Sequence, residues 1–154
     1  MKRAAIIPLV VALGLLAYNN LPQGADVSAD AKRAQQIMAE PLSRTSSQQR
    51  KQLAAFYSGV ARLLPNLKEA APDLDNTKFR KVLELAARLY FSKSFPKTAG
   101  LADSIHGPNG VIAQLYGLDT GPLDVERMAR TLNAIAEACS HPNPAIRMLE
   151  DLIP

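Results

Sequence analysis

The chain has 154 residues, enough for one ordinary domain, and a composition of 47% hydrophobic and 21% charged residues excludes a disordered chain. One Cys excludes a disulfide framework and a four-Cys zinc module, and two His leave little for a dedicated metal site. The net charge of +4 is unevenly divided: residues 1–29 carry +1, residues 30–97 carry +7 and residues 98–154 carry −4.

The chain begins with the basic Met1-Lys2-Arg3 and continues with an uncharged run from Ala4 to Tyr18, which Leu21 extends. Crossing a bilayer takes about 20 apolar residues. Two readings follow. One is an uncleaved N-terminal signal-anchor helix, residues 1–21, that meets a lipid bilayer through residues 4–21. The other is a signal peptide cleaved after Ala29, at Val27-Ser28-Ala29. The stretch from Tyr18 to Ala29 is long for a cleavage region, which favours the anchor. Lys2 and Arg3 abut the apolar run, which predicts N-in orientation and a domain on the non-cytoplasmic side. A linker, 22–29, holds Pro22 and Gly24, and a helical domain spans 30–154.

In that domain, Ser28 or Asp30 caps a first helix that Pro41 stops. Ser46-Ser47-Gln48-Gln49 matches a capping box. It opens a helix with Leu53, Phe56, Tyr57, Val60, Leu63 and Leu64 at 3.6-residue spacing, ended by Pro65. Ala55 and Gly59 form a small-residue pair on its flank. Asp75 or Asn76 caps the next helix. Its apolar stripe reads Phe79, Val82, Leu83, Ala86, Leu89 and Tyr90, with Arg80, Glu84 and Arg88 opposite, and Pro96 bounds it. The Gly-rich stretch 97–121 reads as two short helices around His106-Gly107-Pro108-Asn109-Gly110. Pro122 starts a helix with Val125, Met128, Ala129, Leu132, Ile135, Ala136 and Cys139 on its apolar face. Asn143-Pro144 starts a last one with Ile146, Leu149, Leu152 and Ile153. The expected fold is all-α, a compact bundle of about five or six short helices behind the N-terminal hydrophobic helix. Leu53, Phe56, Val60, Phe79, Leu83, Leu89, Leu132 and Ile135 are its expected core.

No phosphate-binding Gly-rich loop, zinc-protease motif or nucleophile elbow occurs, so no catalytic, cofactor or metal residue is assigned. His106, His141, Cys139, Asp103 and Asp119 match no closed zinc spacing. Cys139 falls on an apolar stripe, which predicts an inert thiol rather than a nucleophile paired with His106. What the sequence offers instead is a basic contact surface of Arg50, Lys51, Lys78, Arg80 and Lys81, suited to an anionic lipid or an acidic protein surface. The expected function is therefore a non-enzymatic, membrane-tethered helical module for structural attachment or protein–protein contact, in a cell envelope or a membrane-containing virus particle. Protein contact or self-association is the expected partnership. The alternative is a secreted or periplasmic soluble protein, with an enzyme built on the 97–121 loop region. Nucleic-acid attachment ranks third, because basic residues interleaved with a helical apolar pattern lack the clustering and stacking aromatics of such surfaces.

Overall fold

A computed structural model describes residues 28–94 and 99–141. The expected anchor, nearly all of the linker, Pro96 and the expected last helix lie outside the described residues. Among the described residues every regular element is a helix: α1 (Ala29–Leu42), α2 (Ser47–Ala70), α3 (Asn76–Ser94), α4 (Ala99–His106), α5 (Val111–Leu115) and α6 (Val125–Ser140). The expected all-α bundle is what forms. None of these helices is long and apolar enough to cross a membrane.

α6 is the central element. It packs along α2, lies against α1 and touches α5, while α4 packs on α1, α3 and α5. The basic and acidic halves of the sequence therefore interlock and do not form two ends of the molecule. The buried set includes Met38, Leu53, Tyr57, Leu64, Leu101, Ile105, Val111, Met128, Leu132, Ile135 and Cys139. No buried side-chain polar atom among the described residues lacks a hydrogen-bond partner.

The caps follow the sequence closely. The Ser28 hydroxyl accepts from the Ala31 N–H at 3.1 Å. The Ser46–Gln49 box is closed in both directions, at 2.9 and 3.2 Å. Asp75 caps α3 by accepting from the Lys78 N–H at 2.8 Å.

Three helix ends differ from expectation, each at a proline. α1 continues through Pro41 to Leu42, because proline removes one donor near a helix end that is already closing. The Ser43 N–H then bonds the Ala39 carbonyl at 3.1 Å. α2 likewise runs past Pro65 to Ala70. Lys68 ties off the segment beyond it, its ammonium donating to the carbonyls of Pro72 and Leu74 at 2.9 and 2.8 Å. α6 starts not at Pro122 but at Val125, where Asp124 accepts from the Arg127 N–H at 3.1 Å. Asp supplies the acceptor that an N-cap needs. Pro122 instead forms an isolated bridge with Asp75, and Gly121 O accepts from the Asn76 N–H at 2.9 Å.

The largest departure is the rotation of α3. Its buried face is Phe79, Leu83, Ala87 and Phe91, whereas Val82, Leu85 and Leu89 are 62%, 57% and 66% exposed. Leu89, expected in the core, is on the surface, and Phe56 and Val60 are only half-buried. The polar flank is engaged at the same time. Arg80 donates to the carbonyls of Asp119 and Leu118 at 2.9 and 3.1 Å, and Arg88 donates to Asp103 at 2.9 Å. The Arg80–Glu84–Arg88 flank thus lies along α4 and the 117–121 loop.

Candidate functional site

Two features stand out: a small cleft and the outward face of α3. The cleft, of about 180 Å³, is lined by Arg80, Lys81 and Glu84 of α3, His106 and Gly107 at the end of α4, Ile112 and Ala113 of α5, and Leu118. The 107–110 turn that shapes one wall needs glycine at both ends. A Cβ on Gly107 would stand 2.5 Å from the Asp103 carbonyl oxygen, and one on Gly110 would stand 2.7 Å from that of Ile105.

Behind the cleft, the Tyr57 hydroxyl and His106 Nε2 share a hydrogen bond of 2.7 Å. Burial, with the nearby Arg88 charge, pushes the His106 imidazole down to about 4. Burial, with Cys139 nearby, raises the Tyr57 phenol well above its ordinary value. Burial pushes the Cys139 thiol up to about 12, although Arg50 opposes the shift. All three groups are neutral at pH 7. A thiolate is the reactive form of cysteine, and Cys139 is held away from it. Cys139 is 1% exposed on the core face of α6, as its stripe position predicts. Among the described residues no three His, Cys, Asp or Glu side chains converge on a point where they could hold a metal ion. His141 is exposed at the far end of α6, and Asp103 pairs with Arg88 instead of approaching Cys139.

The predicted basic surface is only partly assembled. Lys78 and Lys81 are exposed on α3. Arg80 sits beside them but is engaged with the 118 and 119 carbonyls. Lys51 is exposed on α2. Arg50 is removed from the surface: it is 4% exposed, and its guanidinium donates to the Thr45 carbonyl at 2.6 Å. It satisfies the turn between α1 and α2, where an orphaned carbonyl would be costly.

The sequence reading missed what lies around these lysines. Among the described residues, Leu63, Leu67, Val82, Leu85, Leu89 and Leu118 are the exposed large hydrophobic residues. Three are on α3 itself. Leu118 is on the loop that Arg80 latches to α3. Leu63 and Leu67 are on α2, which is joined to α3 by residues 71–75 and by the Phe56–Tyr90 ring stack at 5.2 Å. None is on α1, α4, α5 or α6. Lys93 adds a third exposed ammonium on α3. The available signal was the set Lys78, Lys81, Val82, Leu85, Leu89 and Lys93. At 100° per residue it fills one arc of about 120° without an acid.

No family model, no curated protein and no solved structure matches this chain.

Proposed function

We propose that this protein is a non-enzymatic helical attachment module, tethered to a membrane by its N-terminal apolar segment and serving structural attachment or protein contact. The observation that carries the reading is the exposed apolar row of Val82, Leu85 and Leu89 on one face of α3. Scattered surface leucines are ordinary, but a convergent apolar area marks a contact site. The burial of Tyr57 and Cys139, both neutral at pH 7, supports the non-enzymatic part. The uncharged run from Ala4 to Tyr18 supports the tether. Alkaline carbonate washing of native membranes tests it: the full-length chain stays in the pellet. A soluble mature chain beginning at Asp30 would overturn the tether in favour of secretion.

One observation favours a second reading. His106 lines the cleft together with Gly107, Ile112, Ala113 and Leu118, all from the Gly-rich stretch. A small-molecule site there, with Arg80 and Lys81 at its mouth, is the form the secreted alternative takes. A turnover that His106→Ala abolishes without unfolding the chain would promote it.

A further inference from the structure

We propose that the outward face of α3 docks on an anionic lipid surface, with Val82, Leu85 and Leu89 entering the headgroup region and Lys78, Lys81 and Lys93 meeting the lipid phosphates. The inference rests on the tethered reading and names the surface that the domain itself engages.

α3 has two apolar faces. Phe79, Leu83, Ala87 and Phe91 are buried in the bundle, while Val82, Leu85 and Leu89 point the other way and are more than half exposed. Lys78 and Lys93 lie near the two ends of that outer face, about 22 Å apart along the axis at 1.5 Å per residue. The nearest acid on the helix, Glu84, lies on the cleft side and pairs with Arg88 at 3.4 Å.

Residue types separate a lipid partner from a protein one. Protein interfaces draw their energy from buried Trp, Tyr and Arg anchors and are depleted in Lys. The outer arc of α3 has aliphatic side chains and lysines, with no aromatic ring and no Arg. Interfacial helices use this combination: the apolar side chains enter the acyl boundary, and each lysine lays its stem along apolar surface while its ammonium reaches a phosphate.

The tether permits the pose. The Ser28 N–H and hydroxyl both donate to the Glu137 carboxylate at 3.1 Å, which fixes on α6 the point where the described chain begins. The linker residues 22–27 reach at most about 20 Å when extended, so the tether holds the domain within that distance of the bilayer.

The chain has no Trp, so Leu85→Trp and Asn133→Trp in the full-length protein each give a single reporter, on the outer faces of α3 and α6. The vesicles are phosphatidylcholine with phosphatidylserine, or phosphatidylcholine alone, each with brominated acyl chains. The expected result is blue-shifted, quenched emission from Leu85→Trp on the anionic vesicles only, lost as salt rises, and solvent-like emission from Asn133→Trp on both. Adding K78Q, K81Q and K93Q should lower the docking equilibrium about 100-fold, near fivefold per lysine. Leu89→Trp replaces Leu85→Trp if circular dichroism shows that the latter is unfolded. Solvent-like emission from the α3 reporter on vesicle-bound protein overturns the docking and leaves the tether standing. Failure of the chain to sediment with either vesicle overturns both. Equal quenching in neutral vesicles removes the role of the lysines and overturns the anionic surface. A blue shift before lipid is added means that a second copy covers the face, which also overturns it.

Discussion

α3 and α6 are built from similar material and end differently. Both have apolar residues at helical spacing and charged residues between them. In α6 the apolar set forms one stripe. Met128, Leu132, Ile135 and Cys139 are buried, and Glu126, Arg130 and Asn133 face outward. In α3 the apolar set divides into a buried face and an exposed one. The difference lies in what the polar flank meets. In α6 Glu126 and Arg130 are exposed, and burial of the single apolar stripe matches its rotation. The flank of α3 meets carbonyls and a carboxylate of neighbouring elements, and part of its apolar surface is left outside. A polar stripe can therefore be a seam between elements as well as a solvated face.

The largest expected effect separates the two helices directly. Leu132→Ala should cost about 2–5 kcal/mol, because it empties a fully enclosed site on α6. Leu83→Ala, on the buried face of α3, should fall in the same range. Leu89→Ala should stay within about 0.5 kcal/mol, as an exposed substitution does. Denaturant melts of the three variants make the comparison. If Leu89→Ala proves as costly as Leu132→Ala, the outer face of α3 is covered in the free protein and the contrast between the helices fails.

A somewhat smaller effect comes from His106, which backs onto the Tyr57 side of the core and fronts the α3 cleft. Its folded pKa of about 4 lies below the ordinary 6.5. Between those values the unfolded chain binds more protons than the folded one, so stability is lost as pH falls from about 6.5 to 4. The loss is on the order of 3 kcal/mol at 1.36 kcal/mol per pH unit. Carboxylates titrate in the same window, so the measurement is the difference between wild type and His106→Gln across that range. Parallel pH profiles for the two proteins would show that the His106 ring is hydrated and does not shield the core.

These contrasts also explain what was legible in the sequence. Caps were, because Ser28, Ser46 and Asp75 act on backbone within three residues of themselves. The α6 stripe was, because nothing competes with burial there. The three proline boundaries were not: Pro41, Pro65 and Pro122 each act within a tertiary setting that decides whether a helix continues. The rotation of α3 was hidden for a similar reason, since the 118 and 119 carbonyls that hold Arg80 lie almost 40 residues away in sequence. Arg50 looked like surface charge because its partner is a carbonyl, which has no side-chain signature. In the candidate surface Lys78 and Lys81 were legible as charge. Leu85 and Lys93 became meaningful only once the helix rotation was known.

The smallest expected effect tests what sets that rotation. Arg88 and Asp103 are 2.9 Å apart, but their side chains are 44% and 70% exposed. Exposed pairs of this kind contribute about 0.2–1 kcal/mol and are screened by salt. A double-mutant cycle of Arg88→Ala and Asp103→Ala should therefore give a coupling in that range, falling toward zero at high salt. The burial of Phe79, Leu83, Ala87 and Phe91 would then be the main hold on α3, with the charged seam selecting among rotations that the core nearly permits. A coupling above about 2 kcal/mol that persists in salt would reverse the ranking. The ion pair would then hold the helix, and the exposed Val82–Leu85–Leu89 face would be a by-product of electrostatics. Reporters at Leu85 and Asn133, read in the Arg88→Ala background, decide between the two. If the core dominates, the α3 reporter keeps its vesicle response when the ion pair is gone. If the seam dominates, that response collapses while the α6 reporter is unmoved.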